Sequence, residues 1–383
     1  MTIPLPVPCA NATGGGPRLD LDLGAVAANT RLLAARASGD LMAVVKADGF
    51  GHGALDVART ALAHGATSLG VTSLTEAWPL RDAGVDAPLL SWLNPVEADW
   101  AEAVRRDVQV AVPALEHLAA VADVPGRARV HLHVDTGMAR DGASPAGWAR
   151  LCRAARRAEQ RGEIAVVGLM GHLGCADDPA DVCNAVGRTR FAWALEVARA
   201  CGLRPAQRHL AATAATLTDP RTHHTMSRVG AGLVGIDPSR TTTLRPAMTL
   251  TAPLVSVRRV PAGTPVGYGH AQRTSSATYL GLVPLGYADG LPRAASGRAQ
   301  VQHRGRRLAV VGRISMDQTV VDLGPTGAEP GERVTVFGPG DEGEPTVADW
   351  ADWAGTLEHE IVTGIGARVP RQVRAAPHLR SVR

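Results

Sequence analysis

The stretch Leu41-Met42-Ala43-Val44-Val45-Lys46 is an apolar run that ends on a lysine, and it continues into Ala47-Asp48-Gly49-Phe50-Gly51-His52-Gly53, a glycine-rich turn. A short apolar run bounded by turn residues predicts a buried strand of a parallel sheet. Lys46 is the only lysine in the chain, and every other residue in the Lys+Arg total of 40 is arginine. Arginine stays protonated, whereas lysine can lose its proton and attack a carbonyl. The position therefore predicts a Schiff-base amine at the carboxyl end of a buried strand, as in an α/β enzyme.

Working outward from this stretch, apolar runs alternate with Ala/Arg/Leu-rich helical patterns from about residue 41 to 236. The predicted strands are Met42–Val45, Ser68–Val71, Pro88–Trp92, Val108–Val112, Val130–Val134, Ala165–Met170, Arg208–Ala211 and Ser227–Val234. The predicted helices include Ala54–His64, Leu74–Ala83, Val96–Arg106, Ala114–Ala122 and Gly187–Cys201. Eight β/α repeats predict an α/β fold of the (β/α)8 TIM-barrel type.

The pattern changes after residue 237, where helical stretches become rare and turns separate short apolar runs. The predicted strands are Leu250–Val257, Tyr279–Leu285, Ala299–His303, Leu308–Arg313, Gln318–Leu323 and Arg333–Phe337. We therefore expect a flexible leader at 1–17, a barrel at 18–240 and a C-terminal, mostly-β domain at 241–383. The first strand, residues 18–23, is compatible with either the barrel or the β domain.

Composition narrows the possible partners. The net charge is +4 without a basic run, so we expect no binding to nucleic acid. No apolar stretch is long enough to span a membrane. The five cysteines form no CxxC motif and no even set, which favours a reduced, cytoplasmic chain. We predict no metal site.

Polar residues follow the predicted barrel strands, at the end of the barrel where catalytic groups lie. They are Lys46, Asp135-Thr136-Gly137-Met138-Ala139-Arg140, His172, Thr213 and Arg228. A single histidine or arginine at a strand end is often structural, and the Thr213 hydroxyl is of a kind that commonly caps a helix. As a set, cationic and hydroxyl groups around a reactive lysine indicate an anionic, phosphorylated carbonyl cofactor. Pyridoxal 5′-phosphate (PLP) fits that description.

Four further motifs follow the segment Ala43–Gly53 along the chain: Gly267-Tyr268-Gly269, Pro284-Leu285-Gly286-Tyr287-Ala288-Asp289-Gly290, Val311-Gly312-Arg313-Ile314-Ser315-Met316-Asp317-Gln318 and Arg368-Val369-Pro370-Arg371. In sequence and in order, these segments resemble the motifs of the alanine racemase family, and the resemblance runs from about residue 18 to 374. The segment Ala43–Gly53 resembles the family's PLP-lysine motif.

The resemblance implies a two-base reaction. Lys46 would hold the cofactor covalently and act as the base on one face of the substrate, and Tyr268 would act on the other. His172 would hydrogen-bond Tyr268, and Arg228 would contact the pyridine nitrogen. Racemisation needs a proton removed from one face and delivered to the other, so two groups must flank one planar carbanion.

The resemblance also implies the binding groups. Arg140 and the Met316 backbone would hold the substrate carboxylate. The cofactor would further contact Thr213, Gly230, Ala231, Phe50 and His359. Supporting residues would be His209, His133, Asp317 and Tyr287. Because Tyr268 and Met316 come from the partner in this family, a homodimer with shared active sites is implied.

Several positions depart from the family pattern. Phe50 and His359 replace two tyrosines that reach the phosphate, and His133 replaces a lysine that is often carbamylated. Ala212 and Val234 replace an asparagine and a tyrosine. The two bases are unaffected by these changes, but cofactor affinity and substrate preference are open.

The resulting prediction is an isomerase that interconverts L- and D-alanine with PLP in the cytoplasm. Alternatives are a racemase of serine or another small amino acid in a specialised pathway, a barrel-type decarboxylase and a non-catalytic PLP-binding homologue. The decarboxylases use a cysteine in the β domain, and no cysteine follows Cys201 here. The non-catalytic relatives lack a β domain and the Tyr268 motif.

Overall fold

The structure, a computed structural model, describes residues 15–374. Two compact units are present. Leu21–Ala247 form one unit with 373–374, and Met248–Gln372 form the other with 15–20. The predicted leader lies outside the described residues except for 15–17.

The larger unit is built on an eight-stranded parallel sheet, preceded by a strand β1 (Arg18–Asp22). Its strands are β2 (Asp40–Val44), β3 (Ser68–Val71), β4 (Leu89–Ser91), β5 (Val108–Val112), β6 (Ala128–His133), β7 (Ile164–Met170), β8 (Gln207–His209) and β9 (Met226–Val229). They pair in sequence from β2 to β8, and β2 also pairs with β9. Hydrogen bonds from Thr225 N to Arg208 O (3.1 Å) and from Arg228 N to Ala211 O (3.0 Å) link the two sheet edges. The predicted barrel is confirmed.

Helices surround this sheet. They are α1 (Leu23–Arg36), α3 (Ala54–Ala63), α4 (Leu74–Asp82), α5 (Trp100–Arg105), α6 (Leu115–Ala122), α7 (Pro145–Gln160), α8 (Val182–Ala200) and α9 (Thr213–Thr218), and a left-handed turn, α2 (Lys46–Gly51), follows β2. Asp22 caps α1, because its carboxylate accepts from the amides of Gly24 (2.8 Å) and Ala25 (3.2 Å). Nowhere in residues 15–374 is a helix long and apolar enough to cross a membrane.

The barrel interior contains an apolar cluster of Met42, Leu90, Ala111, Met170 and Met226. These residues come from five different strands. Their burial holds the strands in register, as expected of a filled barrel rather than a pore.

The second unit is mostly β, as predicted. Its strands are β10 (Met248–Pro253), β11 (Ser256–Val260), β12 (Pro265–Val266), β13 (Gln272–Arg273), β14 (Thr278–Val283), β15 (Gln300–His303), β16 (Arg306–Ala309), β17 (Thr319–Gly324), β18 (Arg333–Phe337) and β19 (Arg371–Arg374). A six-stranded sheet has the order β16-β15-β18-β10-β1-β19, so the N-terminal strand joins it. Two helices, α10 (Val347–Ala354) and α11 (Glu358–Gly364), complete the unit.

Several predicted element bounds differ from the structure, and three differences change the description of the two units. The strand predicted at Ser227–Val234 ends at Val229, because the chain turns at Gly230 into a 3-10 helix, Ala231–Val234. The single strand predicted at Leu250–Val257 is two strands, β10 and β11. Residues 241–247 group with the barrel, since Arg245 N donates to Asn29 Oδ1 (2.8 Å).

The expectation of fully reduced cysteines is wrong. Cys175 and Cys183 form a disulfide, with their Cα atoms 6.4 Å apart. The chain turns after β7, and this turn brings Cys175 next to Cys183 in the first turn of α8. A search for CxxC spacing does not detect such a pair. Cys9 lies outside the described residues.

The barrel fold generates a stability prediction at Gly235. Its φ is +96°, and an added Cβ would lie 2.5 Å from Cα of Pro246. Gly162 also has a positive φ, +81°, but nothing lies within 4 Å of its Cβ position. Gly162→Ala should cost about 1–2 kcal/mol from backbone conformation alone. Gly235→Ala should cost about 1–3 kcal/mol more, because the chain must also move.

Denaturant unfolding of both variants checks this difference. Equal losses of stability in Gly162→Ala and Gly235→Ala would contradict the close packing of the 235 and 245–246 segments.

Candidate active site

Lys46 follows β2 and begins a left-handed turn. Four consecutive residues have φ between +50° and +62°: Ala47, Asp48, Gly49 and Phe50. Non-glycine residues adopt this conformation only at an energetic cost, which neighbouring contacts must offset. Here Glu76 Oε1 accepts from the Ala47 amide (2.7 Å), and Asp48 Oδ1 accepts from the Ala54 amide (2.8 Å).

The environment of Lys46 favours loss of its proton. Burial lowers the pKa of the Lys46 ammonium, the charge of Arg140 lowers it further, and the carboxylate of Glu76 opposes both effects. Glu76 is itself held ionised by hydrogen bonds from the Thr72 side chain and from backbone amides, which lower its pKa against the effect of burial. The amine is thus closer to its reactive neutral form than an exposed lysine would be.

The loop after β6 presents Arg140. Asp135 Oδ1 accepts from the amides of Gly137 (2.8 Å), Met138 (3.0 Å) and Ala139 (3.2 Å), and this shapes the turn before the arginine. A cavity of about 370 Å³ lies beside Arg140 and is lined by residues that include His117, Asp135 and Asp141. His133 contacts Asp141 across this loop, with 3.3 Å between Nδ1 and Oδ2.

His172 follows β7. Its backbone is fixed by the Thr136 hydroxyl, which donates to His172 O and accepts from His172 N (3.3 Å). Burial lowers the pKa of His172 to about 3, and the charges of Arg228, Arg140, Lys46 and His133 act in the same direction. The imidazole is therefore neutral.

Arg228 lies at the end of β9 and is buried. Its Nη1 donates to His209 Nδ1 (2.9 Å) and His209 O (2.7 Å). Its Nη2 donates to the carbonyls of Gly171 (2.7 Å) and Leu210 (3.2 Å) and faces His172 Nδ1 at 3.4 Å. Burial lowers the pKa of the guanidinium to about 10, so it keeps its charge at neutral pH.

Thr213 and the turn after β9 form a small polar cup. Thr213 Oγ1 accepts from the amides of Gly230 (3.3 Å) and Gly232 (3.2 Å), which leaves the hydroxyl proton to donate elsewhere. A Cβ on Gly230 would lie 2.6 Å from the Phe50 ring, so any other residue here would force the ring to move. The Phe50 ring is also 5.9 Å from Lys46 Nζ, measured to its centroid.

Five candidate residues lie in the β unit: Tyr268, Tyr287, Met316, Asp317 and His359. Tyr268 and Met316 are strongly exposed, with 70% and 53% of their surface accessible. The Tyr287 amide donates to Ser315 O (3.0 Å), and Asp317 Oδ1 is 2.7 Å from Arg368 Nη1. Three of the quoted motifs thus meet within this unit. His359 lies in the first turn of α11.

The other ten candidates belong to the barrel unit: Lys46, Phe50, His133, Arg140, His172, His209, Thr213, Arg228, Gly230 and Ala231. Sequence reasoning missed Glu76, which supports the lysine turn. Its signal is the helix-start pattern of Ser73 followed three residues later by Glu76. The Ser73 hydroxyl accepts from the Glu76 amide (3.3 Å). Asp141 was also missed, because its contact with His133 depends on the loop conformation.

Comparison with known protein families matches both units. The alanine racemase N-terminal domain matches residues 21–238, and the alanine racemase C-terminal domain matches residues 247–373. The chain belongs to the alanine racemase family.

Individual members of this family are similar over nearly the whole chain. Alanine racemase from Thermobifida fusca is 46% identical over 362 residues, which cover 92% of this chain and 96% of that protein. Alanine racemase from Streptomyces coelicolor is 48% identical over 370 residues, covering 92% and 95%. The crystal structure of alanine racemase from D-cycloserine-producing Streptomyces lavendulae matches with a TM-score of 0.92 at 42% identity, covering 95% of this chain and 98% of that chain.

Removing either of the two charged groups near Lys46 should shift its pKa, and the two shifts should be in opposite directions. Glu76→Gln removes a carboxylate that raises this pKa, so the pKa should fall. Arg140→Gln removes a cation that lowers it, so the pKa should rise. Trace acetylation of cofactor-free protein across a pH series, with peptide mass spectrometry, measures the pH at which the amine becomes reactive.

The N-terminal amine in the same digest serves as an internal reference that neither substitution should move. Shifts of the same sign in both variants would show that the two charges do not act on Lys46 as described.

Proposed function

We propose that this chain interconverts L-alanine and D-alanine with PLP as cofactor. The observation that carries the proposal is the position of the only lysine, at the end of a barrel strand, where burial and then the charge of Arg140 lower its pKa. The relatives at 46–48% identity are alanine racemases, which favours alanine over other small amino acids.

The residues present fit PLP. The Thr213 hydroxyl has its proton free to donate, and the amide of Ala231 has no protein acceptor among residues 15–374. These groups suit a phosphate, as donors at a helix start generally do. In the same range the Nε–H of Arg228 makes no hydrogen bond and suits a pyridine nitrogen. Phe50 supplies no hydroxyl at the cup, so its contribution there is packing.

PLP would be held by Lys46 until the substrate amine takes the place of the lysine, and it would then withdraw electrons from the substrate Cα and so make the Cα proton removable. The freed Lys46 amine would take or return this proton on one face. Tyr268 does the same on the opposite face and is supplied by the partner chain. A group on each face is what inversion at one carbon requires.

Arg228 would donate to the pyridine nitrogen and keep it unprotonated. A charged guanidinium can only donate hydrogen bonds, so a proton on the ring nitrogen would face another donor. The ring is then a weaker electron acceptor, which disfavours side reactions that need a long-lived carbanion. His172 accepts from Arg228 at Nδ1, so its Nε2–H can donate to the Tyr268 oxygen. Such a donor helps a tyrosine act as a base well below its usual pKa of about 10.

Substrate binding would rest on charge and size. Arg140 faces the cavity beside the barrel end and would hold the substrate carboxylate together with the Met316 backbone. We further propose that the chain is a homodimer, that it acts on free amino acids in the cytoplasm, and that the exposure of Tyr268 reflects its use by the partner.

The proposal predicts that purified protein with PLP converts L-alanine to D-alanine and converts L-serine more slowly. Chiral chromatography measures the D-enantiomer formed in each case. Tyr268→Phe should lower racemisation at least about 10²-fold, because one proton carrier is lost while packing is kept. In deuterated water this variant should still exchange the Cα proton of one enantiomer, the one whose proton Lys46 removes.

Equal loss of exchange for both enantiomers would contradict a role on one face. If the protein turned over serine faster than alanine, serine would replace alanine as the proposed substrate.

The shared active site predicts complementation. Lys46→Ala and Tyr268→Phe chains should each be inactive alone. After subunit exchange, mixed dimers would carry one intact site built from Lys46 of one chain and Tyr268 of the other. A random mixture of such two-fold dimers should recover about a quarter of the unmodified activity. No recovery after exchange has been verified by mass spectrometry would mean that each site is built within one chain.

A further inference from the structure

A chain of four buried side chains crosses the barrel interior behind the candidate site. Arg228 Nη1 is 2.9 Å from His209 Nδ1, and His209 Nε2 is 2.8 Å from His131 Nδ1. His131 Nε2 is 2.7 Å from Gln109 Oε1. Both His131 and His209 are fully buried, and Gln109 is 2% exposed. Residues from β5, β6, β8 and β9 are therefore joined into one hydrogen-bonded series.

The direction of every hydrogen bond in this series follows from Arg228. A guanidinium can only donate, so His209 Nδ1 must accept. A neutral His209 then carries its proton on Nε2 and donates to His131 Nδ1. His131 in turn carries its proton on Nε2 and donates to the Gln109 carbonyl oxygen. The chain ends there because that oxygen can only accept.

The orientation of the Gln109 side-chain amide supports this assignment. Its Nε2 is buried without a hydrogen-bond partner. Rotating the amide would turn the NH2 group toward the Nε2–H of His131 and place two donors face to face. The orientation that satisfies His131 is thus the one observed, although it leaves the amide nitrogen unpaired.

The surroundings also keep both imidazoles neutral. Burial lowers the pKa of His131 to about 3, and the charges of Arg129 and Arg228 act in the same direction. Burial and Arg228 hold the pKa of His209 well below its usual range. Gly168 makes room for the His131 ring, since a Cβ there would lie 2.6 Å from Cγ.

We propose that His131 and Gln109 are positioning residues for the reaction: they accept the series of hydrogen bonds that starts at Arg228, and so hold the His209 ring with a lone pair toward the guanidinium. The same guanidinium faces His172 Nδ1, so a reversal of the series from the Gln109 end would reach the group proposed to assist Tyr268. The tautomer assignment stands on geometry alone, whereas the effect on reaction rests on the proposed function.

Gln109→Glu tests the proposal with almost no change in shape. A carboxylate at this position stabilises a protonated His131, which would then donate from both ring nitrogens. His209 would have to accept at Nε2 and would turn an N–H toward Arg228. Gln109→Met is the matched control, because it removes the acceptor but leaves Arg228 to set the direction.

The experiment uses holoenzyme with ¹⁵N-labelled histidine at pH 7, where side-chain nitrogen shifts report tautomer and charge. Spectra of His131→Gln and His209→Gln assign the signals. We expect unmodified protein and Gln109→Met to have both histidines neutral with the proton on Nε2, and Gln109→Glu to lose this state. Loss of the outer partners of metal-bound histidines typically costs about 10–100-fold in activity, and by analogy kcat/KM should fall at least about tenfold in Gln109→Glu and less in Gln109→Met.

A proton on Nδ1, or a charged ring, at His131 or His209 of the unmodified protein would overturn the proposal. So would a Gln109→Glu variant that is folded by circular dichroism and has reversed tautomers but unchanged kcat/KM. Unmodified protein that has the expected tautomers and turns over no alanine would instead refute the proposed function and leave the tautomer assignment intact.

Discussion

Pairing between the first and last barrel strands is the constraint on which the site depends. Met42 lies beside Arg228 and Ala43 lies beside Val229 in the ladder of β2 with β9. These strands are far apart in sequence, and only closure of the sheet brings their carboxyl ends together. The turn after β2 then presents Lys46, and the turn after β9 presents Gly230. The contact of Gly230 with the Phe50 ring fixes how closely these two turns approach.

Closure also concentrates positive charge, and the interior accommodates it by keeping its histidines neutral. His131, His172 and His209 have pKa values far below the usual histidine value, because burial and nearby arginines oppose protonation. Each can therefore act as both acceptor and donor. Arg228 remains charged and supplies only donors. A site of this kind suits a ligand that presents a hydrogen-bond acceptor to the arginine, and it needs acceptors behind the arginine.

Much of this arrangement is predictable from the sequence. Alternating apolar and helical runs predict the barrel, and parallel strands place their ends on one face, so Lys46, His172 and Arg228 can be located without coordinates. The prediction that the last barrel strand reaches Val234 was wrong. An apolar run does not show that backbone amides after Val229 donate to the Thr213 hydroxyl instead of to a neighbouring strand. The link from His131 to Gln109 was not predictable either. Period-two alternation shows that a side chain points inward, but not which atom it meets.

Borohydride reduction of the holoenzyme tests the central claim, that the only lysine holds the cofactor and performs the chemistry. Reduction makes the bond between the cofactor and its amine permanent, and peptide mass spectrometry then locates it. The account predicts one modified peptide, carrying the cofactor on Lys46, together with loss of racemisation in proportion to labelling. A label on the N-terminal amine alone, or no label in protein that contains a full complement of PLP, would contradict it.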